Sequence, residues 1–168
     1  TGEVLAMTSL PQLNPNAAGQ GSDEARFNRA TLGVYELGST FKPFTVAMAM
    51  DSGIVRSFGQ VYNCPEALNV YGRTINDTHP FGRSCTVAEI MKESSNIGTA
   101  QIAAQLGSAR QKEFLRRMGF LSPIEIEIRE RGRTLTPGNN WGPLETMTVG
   151  YGHGIAVTPL HLATGYAT

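Results

Sequence analysis

The stretch GVYELGSTFKPF, residues 33–44, places Ser39 three positions before Lys42 and a proline directly after the lysine. Pro43 has no backbone N–H and fits without cost only in the first turn of a helix. The helix must therefore begin close to Ser39. Apolar residues continue at helical spacing after Pro43, and Gly53 predicts where this helix ends.

Ser39 and Lys42 are candidates for a nucleophile and its base. Residues at i and i+3 share a helix face, so the amine can approach the hydroxyl. The positive end of the helix dipole stabilises a negative oxygen at the serine position. A lysine desolvated by its aromatic neighbours gives up its proton more easily. The alternative is that Ser-x-x-Lys is only the polar start of an ordinary helix, because so short a motif also recurs by chance.

A second polar stretch, ESSNIG at residues 93–98, predicts a tight turn between two helices. Thr86 and Glu89 form a capping box that opens the first of these helices. The turn can direct the Ser94 hydroxyl and the Asn96 carboxamide into a cleft, where one relays protons and the other holds an amide. Alternatively, these polar residues merely end one helix and cap the next.

Composition excludes several classes of function. The 168 residues suit one domain, and 14 basic residues balance 14 acidic ones. A chain of zero net charge has no field that attracts nucleic acid. Cys64 and Cys85 flank His79 without the spacing of a zinc site, so two thiols or one disulfide are favoured over a metal. We expect no metal and no cofactor.

The remaining patterns predict an α+β fold that is mainly helical. Residues 2–10 alternate like a strand, residues 54–85 predict loops and short strands, and residues 121–150 predict a loop. A further helix is expected to follow Asn96 and to end at Gly107, and others are expected to begin at Ser108 and Thr158, where capping residues occur.

Taken together, these motifs resemble a known family. Gly38–Lys42 followed by Ser94–Asn96 resembles the first two motifs of penicillin-binding proteins and serine β-lactamases. The flanking segments resemble class B penicillin-binding proteins in particular, closest to division-specific members of the alphaproteobacterial type, although Leu37 replaces a common proline. The segments that carry this likeness are residues 1–16, 28–30, 35–44, 94–103 and 150–167.

The resemblance implies a partial transpeptidase (penicillin-binding) domain over residues 1–168, with a helical subdomain and an incomplete antiparallel sheet. The family's third motif, Lys-Thr-Gly or Lys-Ser-Gly, begins at none of the lysines Lys42, Lys92 and Lys112. We therefore expect a fragment that lacks this C-terminal part and the first strand, and that holds two of three active-site elements.

The implied activity is that of a peptidoglycan D,D-transpeptidase that cross-links stem peptides ending in D-Ala-D-Ala. Ser39 would form the acyl-enzyme, Lys42 would take its proton, Ser94 would relay a proton to the leaving amine, and Asn96 would bind the substrate amide. Penicillins and other β-lactams would acylate Ser39. Further substrate-binding positions are expected at Ser95, Gly152, His153 and Gly154.

The resemblance also implies a place in the cell. The parent protein would act in septal cell-wall synthesis at the periplasmic face of the bacterial inner membrane, with divisome proteins as partners. A fragment with an uncovered apolar face would also self-associate.

Other functions remain open at this point. A serine β-lactamase is an alternative. The glutamate loop of β-lactamases follows the first two motifs along the chain, and this sequence has Glu125, Glu127 and Glu130 in a corresponding place. A penicillin-sensing domain and a non-enzymatic scaffold are others. A Ser-His-Asp hydrolase is disfavoured, because no GxSxG elbow accompanies the histidines. Trp141 is expected to pack rather than to anchor a surface loop.

Overall fold

The computed structural model describes residues 3–168, which divide into two compact units. The first unit comprises the residues up to Glu36, Leu115–Thr136 and Ala156–Thr168, and the second comprises Leu37–Phe114 and Pro137–Ile155. The described residues form helices and short antiparallel strands, with four consecutive strands over residues 61–86. The predicted α+β fold, mainly helical, is confirmed.

The helices and strands are numbered in chain order. The helices are α1 (Asp23–Arg26), α2 (Lys42–Asp51), α3 (Val87–Lys92), α4 (Asn96–Arg117), α5 (Pro143–Gly150) and α6 (Pro159–Ala167). The strands are β1 (Tyr35–Glu36), β2 (Val61–Cys64), β3 (Ala67–Val70), β4 (Arg73–Asn76), β5 (Arg83–Thr86) and β6 (Ala156–Val157). They pair as β1 with β6, β2 with β5 and β3 with β4.

In the first unit, the N-terminal strand prediction is wrong for the residues that the structure describes. Residues 3–9 form no strand, and Leu5 is 92% exposed. Alternation indicates which side chains would share a face. Alternation does not provide a neighbouring strand, and a strand needs one because its backbone groups must form hydrogen bonds with it. The predicted helix start at Thr158 is confirmed, because the Thr158 hydroxyl accepts the His161 N–H at the beginning of α6.

The second unit has two groups of buried apolar residues. One lies among α2, α3, α4 and the β2–β5 pair and consists of Val46, Ala49, Val55, Tyr62, Cys64, Cys85, Val87, Ile90 and Ile102. The other lies where the β3–β4 hairpin, α4 and α5 meet and consists of Ile75, Ile97, Ala100 and Met147. Both groups therefore bring strands from residues 61–86 against the helices that carry the candidate site.

Two helix predictions have opposite outcomes. The predicted break at Gly107 is confirmed, since α4 departs there from helical geometry with φ 78°. The predicted loop over residues 121–150 is wrong at its end, where α5 forms. This helix begins after Gly142, not after a serine or threonine, so its start signal was weak. Pro143 and the Glu145 carboxylate, which accepts the Gly142 N–H at 3.0 Å, form its first turn.

Cys64 on β2 and Cys85 on β5 form a disulfide with a Cα–Cα distance of 5.9 Å. Both side chains are buried in the larger apolar group. The bridge closes a segment with a sequence separation of 21 that contains the β3–β4 hairpin. The question that the sequence left open, two thiols or one disulfide, is answered in favour of the disulfide.

Reduction of this disulfide is expected to lower the free energy of unfolding by about 3 kcal/mol, because the freed segment gains entropy in the unfolded chain. Urea unfolding with and without dithiothreitol measures the difference. The double variant Cys64→Ser/Cys85→Ser is the control and should not respond to the reductant. Equal unfolding midpoints for oxidised and reduced wild-type chain would contradict the expectation.

Candidate active site

The serine and the lysine lie at the start of α2, within the second unit. Gly38–Phe41 form a 3₁₀ turn that leads directly into α2 at Lys42, and the Lys42 backbone N–H donates to the Ser39 carbonyl. Ser39 is exposed. The predicted helix start near Ser39 is confirmed, and the turn presents the Ser39 side chain to solvent one helical turn before the lysine.

Lys42 is only 2% exposed, which is unusual for a lysine. Its Nζ donates to the Ser94 hydroxyl at 2.9 Å and also to the Ser94 carbonyl. Burial disfavours the charged amine and lowers the Lys42 pKa to about 8, although the negative charge of Asp77 acts in the opposite direction. A substantial fraction of this amine is thus neutral near pH 8.

Ser94 lies on the predicted turn between α3 and α4, with a left-handed backbone at φ 56°. Non-glycine residues rarely adopt this conformation, and it recurs at functional sites. Here it lets the carbonyl and the hydroxyl of one residue both face the Lys42 amine. The capping box of Thr86 and Glu89, predicted for α3, is also confirmed.

Asp77, which follows β4, organises the other side of this turn. Its carboxylate accepts the Ser95 hydroxyl at 2.6 Å and the backbone N–H groups of Asn96 and Ile97 at 2.5 and 3.0 Å. These N–H groups lie in the first turn of α4, where backbone N–H groups have no hydrogen-bond acceptor within the helix. The Ser95 hydroxyl in turn accepts the Gly98 N–H at 2.9 Å. Asp77 and Ser95 therefore cap α4 together.

These contacts distinguish the two predicted residues after Ser94. Ser95 is 1% exposed and its hydroxyl serves the cap, so it presents no exposed hydroxyl for the predicted substrate contact. Asn96 is half-buried, and its Nδ2 donates to the Asn76 carbonyl at 2.9 Å. This bond fixes the orientation of the Asn96 carboxamide beside the turn.

The remaining predicted positions follow α5. Gly152 is buried, whereas His153 and Gly154 are exposed. The Gly38 N–H donates to the Gly152 carbonyl at 3.0 Å, so this segment lies directly against the serine turn. The ring of His153 lies 5.2 Å from that of Tyr151. The structure thus places Gly152 against the residue that precedes Ser39, and Ser94 against the Lys42 amine.

Asp77 was missed by the sequence reasoning. Its surroundings, Asn76-Asp77-Thr78, suggest a polar turn, and nothing local indicates a partner on another element. Trp141 was correctly expected to pack. It is 6% exposed, and its indole N–H donates to the Gln111 side chain at 3.0 Å.

Apart from the serine–lysine cluster, which consists of Ser39, Lys42 and Ser94, the described residues contain a separate cavity but no candidate metal site or membrane span. Among residues 3–168, no group of three or more histidine, cysteine, aspartate or glutamate residues could hold a metal ion. Over the same residues, no helix is long and apolar enough to cross a membrane. A cavity of about 840 Å³ lies in the first unit, bordered by Met118, Ser122, Leu160 and His161 among others, and none of the serine–lysine cluster borders it.

The comparisons with known proteins agree with this geometry. Residues 1–168 match the family described as the penicillin binding protein transpeptidase domain, and the chain belongs to that family. The chain is 38% identical over 163 residues to the probable peptidoglycan D,D-transpeptidase FtsI of Caulobacter vibrioides, covering 97% of this chain and 27% of that protein. It is 34% identical over 169 residues to the peptidoglycan D,D-transpeptidase FtsI of Escherichia coli, covering 100% of this chain and 28% of that protein.

A solved structure shows the same likeness. The transpeptidase domain of penicillin-binding protein 3 from Burkholderia pseudomallei has a TM-score of 0.77 and 29% identity, covering 84% of this chain and 43% of that one. The predicted family is therefore confirmed. The chain spans 27% and 28% of the lengths of the two curated relatives.

The lowered Lys42 pKa predicts how stability depends on pH. The unfolded chain keeps this proton up to the ordinary value of 10.5, whereas the folded chain releases it near 8. Stability should therefore rise with pH between these values, by about 1 kcal/mol per pH unit near pH 9. Urea unfolding at pH 7.5, 8.5 and 9.5 measures this slope.

The variant Lys42→Met removes the titrating amine and is the control for this experiment. Its unfolding free energy should not show this rise over the same range. If wild type and Lys42→Met gave parallel profiles, the lowered pKa would be wrong.

Asp77→Asn should destabilise the fold by about 2 kcal/mol, because the amide keeps the shape of the carboxylate but loses one acceptor and the charge that strengthens the others. Thermal and urea unfolding measure the change. Asp23→Asn is the control, since that carboxylate is fully exposed at the start of α1. The control should change by less than about 0.5 kcal/mol, and equal losses in both variants would contradict the role given to Asp77.

Proposed function

We propose that this chain carries the acylating part of a peptidoglycan D,D-transpeptidase, with Ser39 as nucleophile. The observation that supports this most directly is the buried Lys42 amine, hydrogen-bonded to Ser94 one helical turn from an exposed serine. Burying an amine is unfavourable, and the cost is explained if the neutral form is needed as a base. The names of the two FtsI relatives agree with the reaction class.

Acylation proceeds by transfer of one proton and one acyl group. The neutral Lys42 amine directs its two N–H groups at the Ser94 carbonyl and hydroxyl, which leaves its lone pair for the Ser39 proton. The Ser39 oxygen then bonds to the penultimate D-alanine carbonyl, and the bond to the terminal D-alanine breaks. The proton passes from Lys42 through Ser94 to the departing amine.

The second half-reaction restores the serine. The amine of a neighbouring stem peptide attacks the acyl-serine and forms the cross-link, the bond between the acyl group and Ser39 breaks, and one proton of the attacking amine passes through Ser94 and Lys42 to the Ser39 oxygen. The Asn96 carboxamide, oriented by the Asn76 carbonyl, binds the substrate amide in both steps. A β-lactam acylates Ser39 in the same way, but its ring opens and no fragment leaves.

The cellular setting follows from the same proposal. The parent protein acts in septal wall synthesis on the periplasmic side of the inner membrane, with divisome proteins as partners. The Cys64–Cys85 disulfide supports an oxidising compartment. Self-association of the 168-residue chain is part of the proposal, since Leu5 and Leu10 are 92% and 67% exposed.

The test is the intact mass of the chain after exposure to benzylpenicillin. Ring opening retains every atom, so we expect a single adduct equal to the whole penicillin mass in wild type and none in Ser39→Ala. Ser57→Ala, which alters an exposed serine elsewhere in the same unit, is the control and should be labelled like wild type. An adduct that persists in Ser39→Ala, or an unlabelled wild type, would contradict the proposal.

The lifetime of the adduct distinguishes the reaction classes. A transpeptidase holds the acyl group because water is not its acceptor, so the adduct should persist for many minutes. A serine β-lactamase would release it within seconds.

A further inference from the structure

Gly152, two residues beyond the end of α5, belongs to the motif that ends this helix and also lies against the serine turn. The Gly152 N–H donates to the Val149 carbonyl at 2.9 Å, and the His153 N–H donates to the Thr148 carbonyl at 3.0 Å. This pair of bonds is the Schellman motif, in which the first residue beyond the cap adopts a left-handed backbone. Gly152 has φ 86° and fills that position. The motif alone explains a preference for glycine there.

The surroundings of Gly152 add a second requirement. A Cβ on Gly152 would overlap the Gly38 carbonyl oxygen and lie 2.7 Å from both the Gly38 nitrogen and carbonyl carbon. The Gly38 N–H also donates to the Gly152 carbonyl at 3.0 Å. Gly38 directly precedes Ser39, so the backbone of the serine turn lies against Gly152 without space for a side chain.

A further hydrogen bond connects α2 with α5. The buried Thr45 hydroxyl on α2 donates to the carbonyl of Gly150, the last residue of α5, at 2.7 Å. Thr45 lies one turn beyond Lys42 on α2. The end of α5 and the residues after it are therefore hydrogen-bonded to the chain on either side of Lys42, at Gly38 in the 3₁₀ turn and at Thr45 on α2.

From these contacts we propose that Gly152 is a positioning residue, which sets the orientation of the Gly38–Ser39 turn relative to the Lys42 amine. The inference rests on the proposed acylation of Ser39 and gives Gly152 a role other than substrate contact. Displacement of a nucleophile by about 1 Å costs about 100-fold in rate, and the overlap of a Cβ with Gly38 requires a shift of that order. Substrate affinity does not depend on this alignment.

The chain offers a matched control at the other end of α2. Gly53 occupies the same position of a Schellman motif, with φ 72° and with bonds from its N–H to Met50 and from the Ile54 N–H to Ala49. A Cβ on Gly53 would meet nothing within 4 Å. Gly53→Ala therefore carries the backbone strain of Gly152→Ala without the overlap.

The experiment compares wild type, Gly152→Ala and Gly53→Ala in their acylation by benzylpenicillin, resolved into the apparent Kd and the acylation rate constant. We expect Gly152→Ala to lower the rate constant about 100-fold, with Kd within about threefold of wild type. Gly53→Ala should leave both values within about threefold of wild type. Equal rate constants in the two variants, or a raised Kd with an unchanged rate constant, would overturn the inference.

A second measurement does not depend on activity. Hydrogen exchange of the Gly38 amide should become faster in Gly152→Ala and stay unchanged in Gly53→Ala, because only the first variant disturbs the bond to Gly152. If wild type is not acylated, the proposed function fails, and Gly38 exchange alone decides the positioning role. Unchanged exchange in Gly152→Ala would reject it.

Thr45→Val replaces Gly152→Ala in the acylation experiment if Gly152→Ala does not fold. It keeps the volume of the threonine and removes only the bond to Gly150. We expect its acylation rate constant to fall about fivefold with Kd unchanged, the loss that corresponds to one hydrogen bond. A rate constant equal to that of wild type would contradict the connection between α5 and the serine turn.

Discussion

The contact between the buried Lys42 amine of α2 and the turn between α3 and α4 is the constraint on which the site depends. Lys42 cannot be removed from water without polar partners, and the Ser94 carbonyl and hydroxyl supply them. Both groups face the amine only because Ser94 adopts a left-handed backbone. The need to satisfy a buried amine therefore explains a strained turn that local sequence preferences alone would not favour.

The Asp77 carboxylate, from a distant part of the chain, holds the turn between α3 and α4 in place. Asp77 accepts hydrogen bonds from three consecutive residues at the start of α4, so the strain at Ser94 is offset by a well-satisfied helix start. Asp77 follows the β3–β4 hairpin, which lies within the segment closed by the Cys64–Cys85 disulfide. The strand-rich residues thus act as the support that fixes the position of the turn.

The serine side of the site has its own support. The 3₁₀ turn at Gly38–Phe41 precedes α2, and the end of α5 lies against it through Gly152. Two glycines with left-handed backbones meet at this contact, and a Cβ on Gly152 would overlap the Gly38 backbone, whereas a Cβ on Gly38 would meet nothing within 4 Å. Ser39 is exposed, whereas the backbone of the residue before it lies closely against Gly152.

Local chemistry in the sequence determined much of this arrangement. Pro43 placed the start of α2 near Ser39, the Thr86–Glu89 capping box placed α3, and the Ser-Ser-Asn run placed the turn, because each of these signals acts within one helical turn. Only the tertiary structure decided the rest. The cap from Asp77, the contact of Gly152 with Gly38 and the failure of residues 3–9 to form a strand all depend on partners far away in the chain. Such partners are chosen by packing and by the hydrogen bonds that buried groups require, and no pattern of neighbouring residues encodes them.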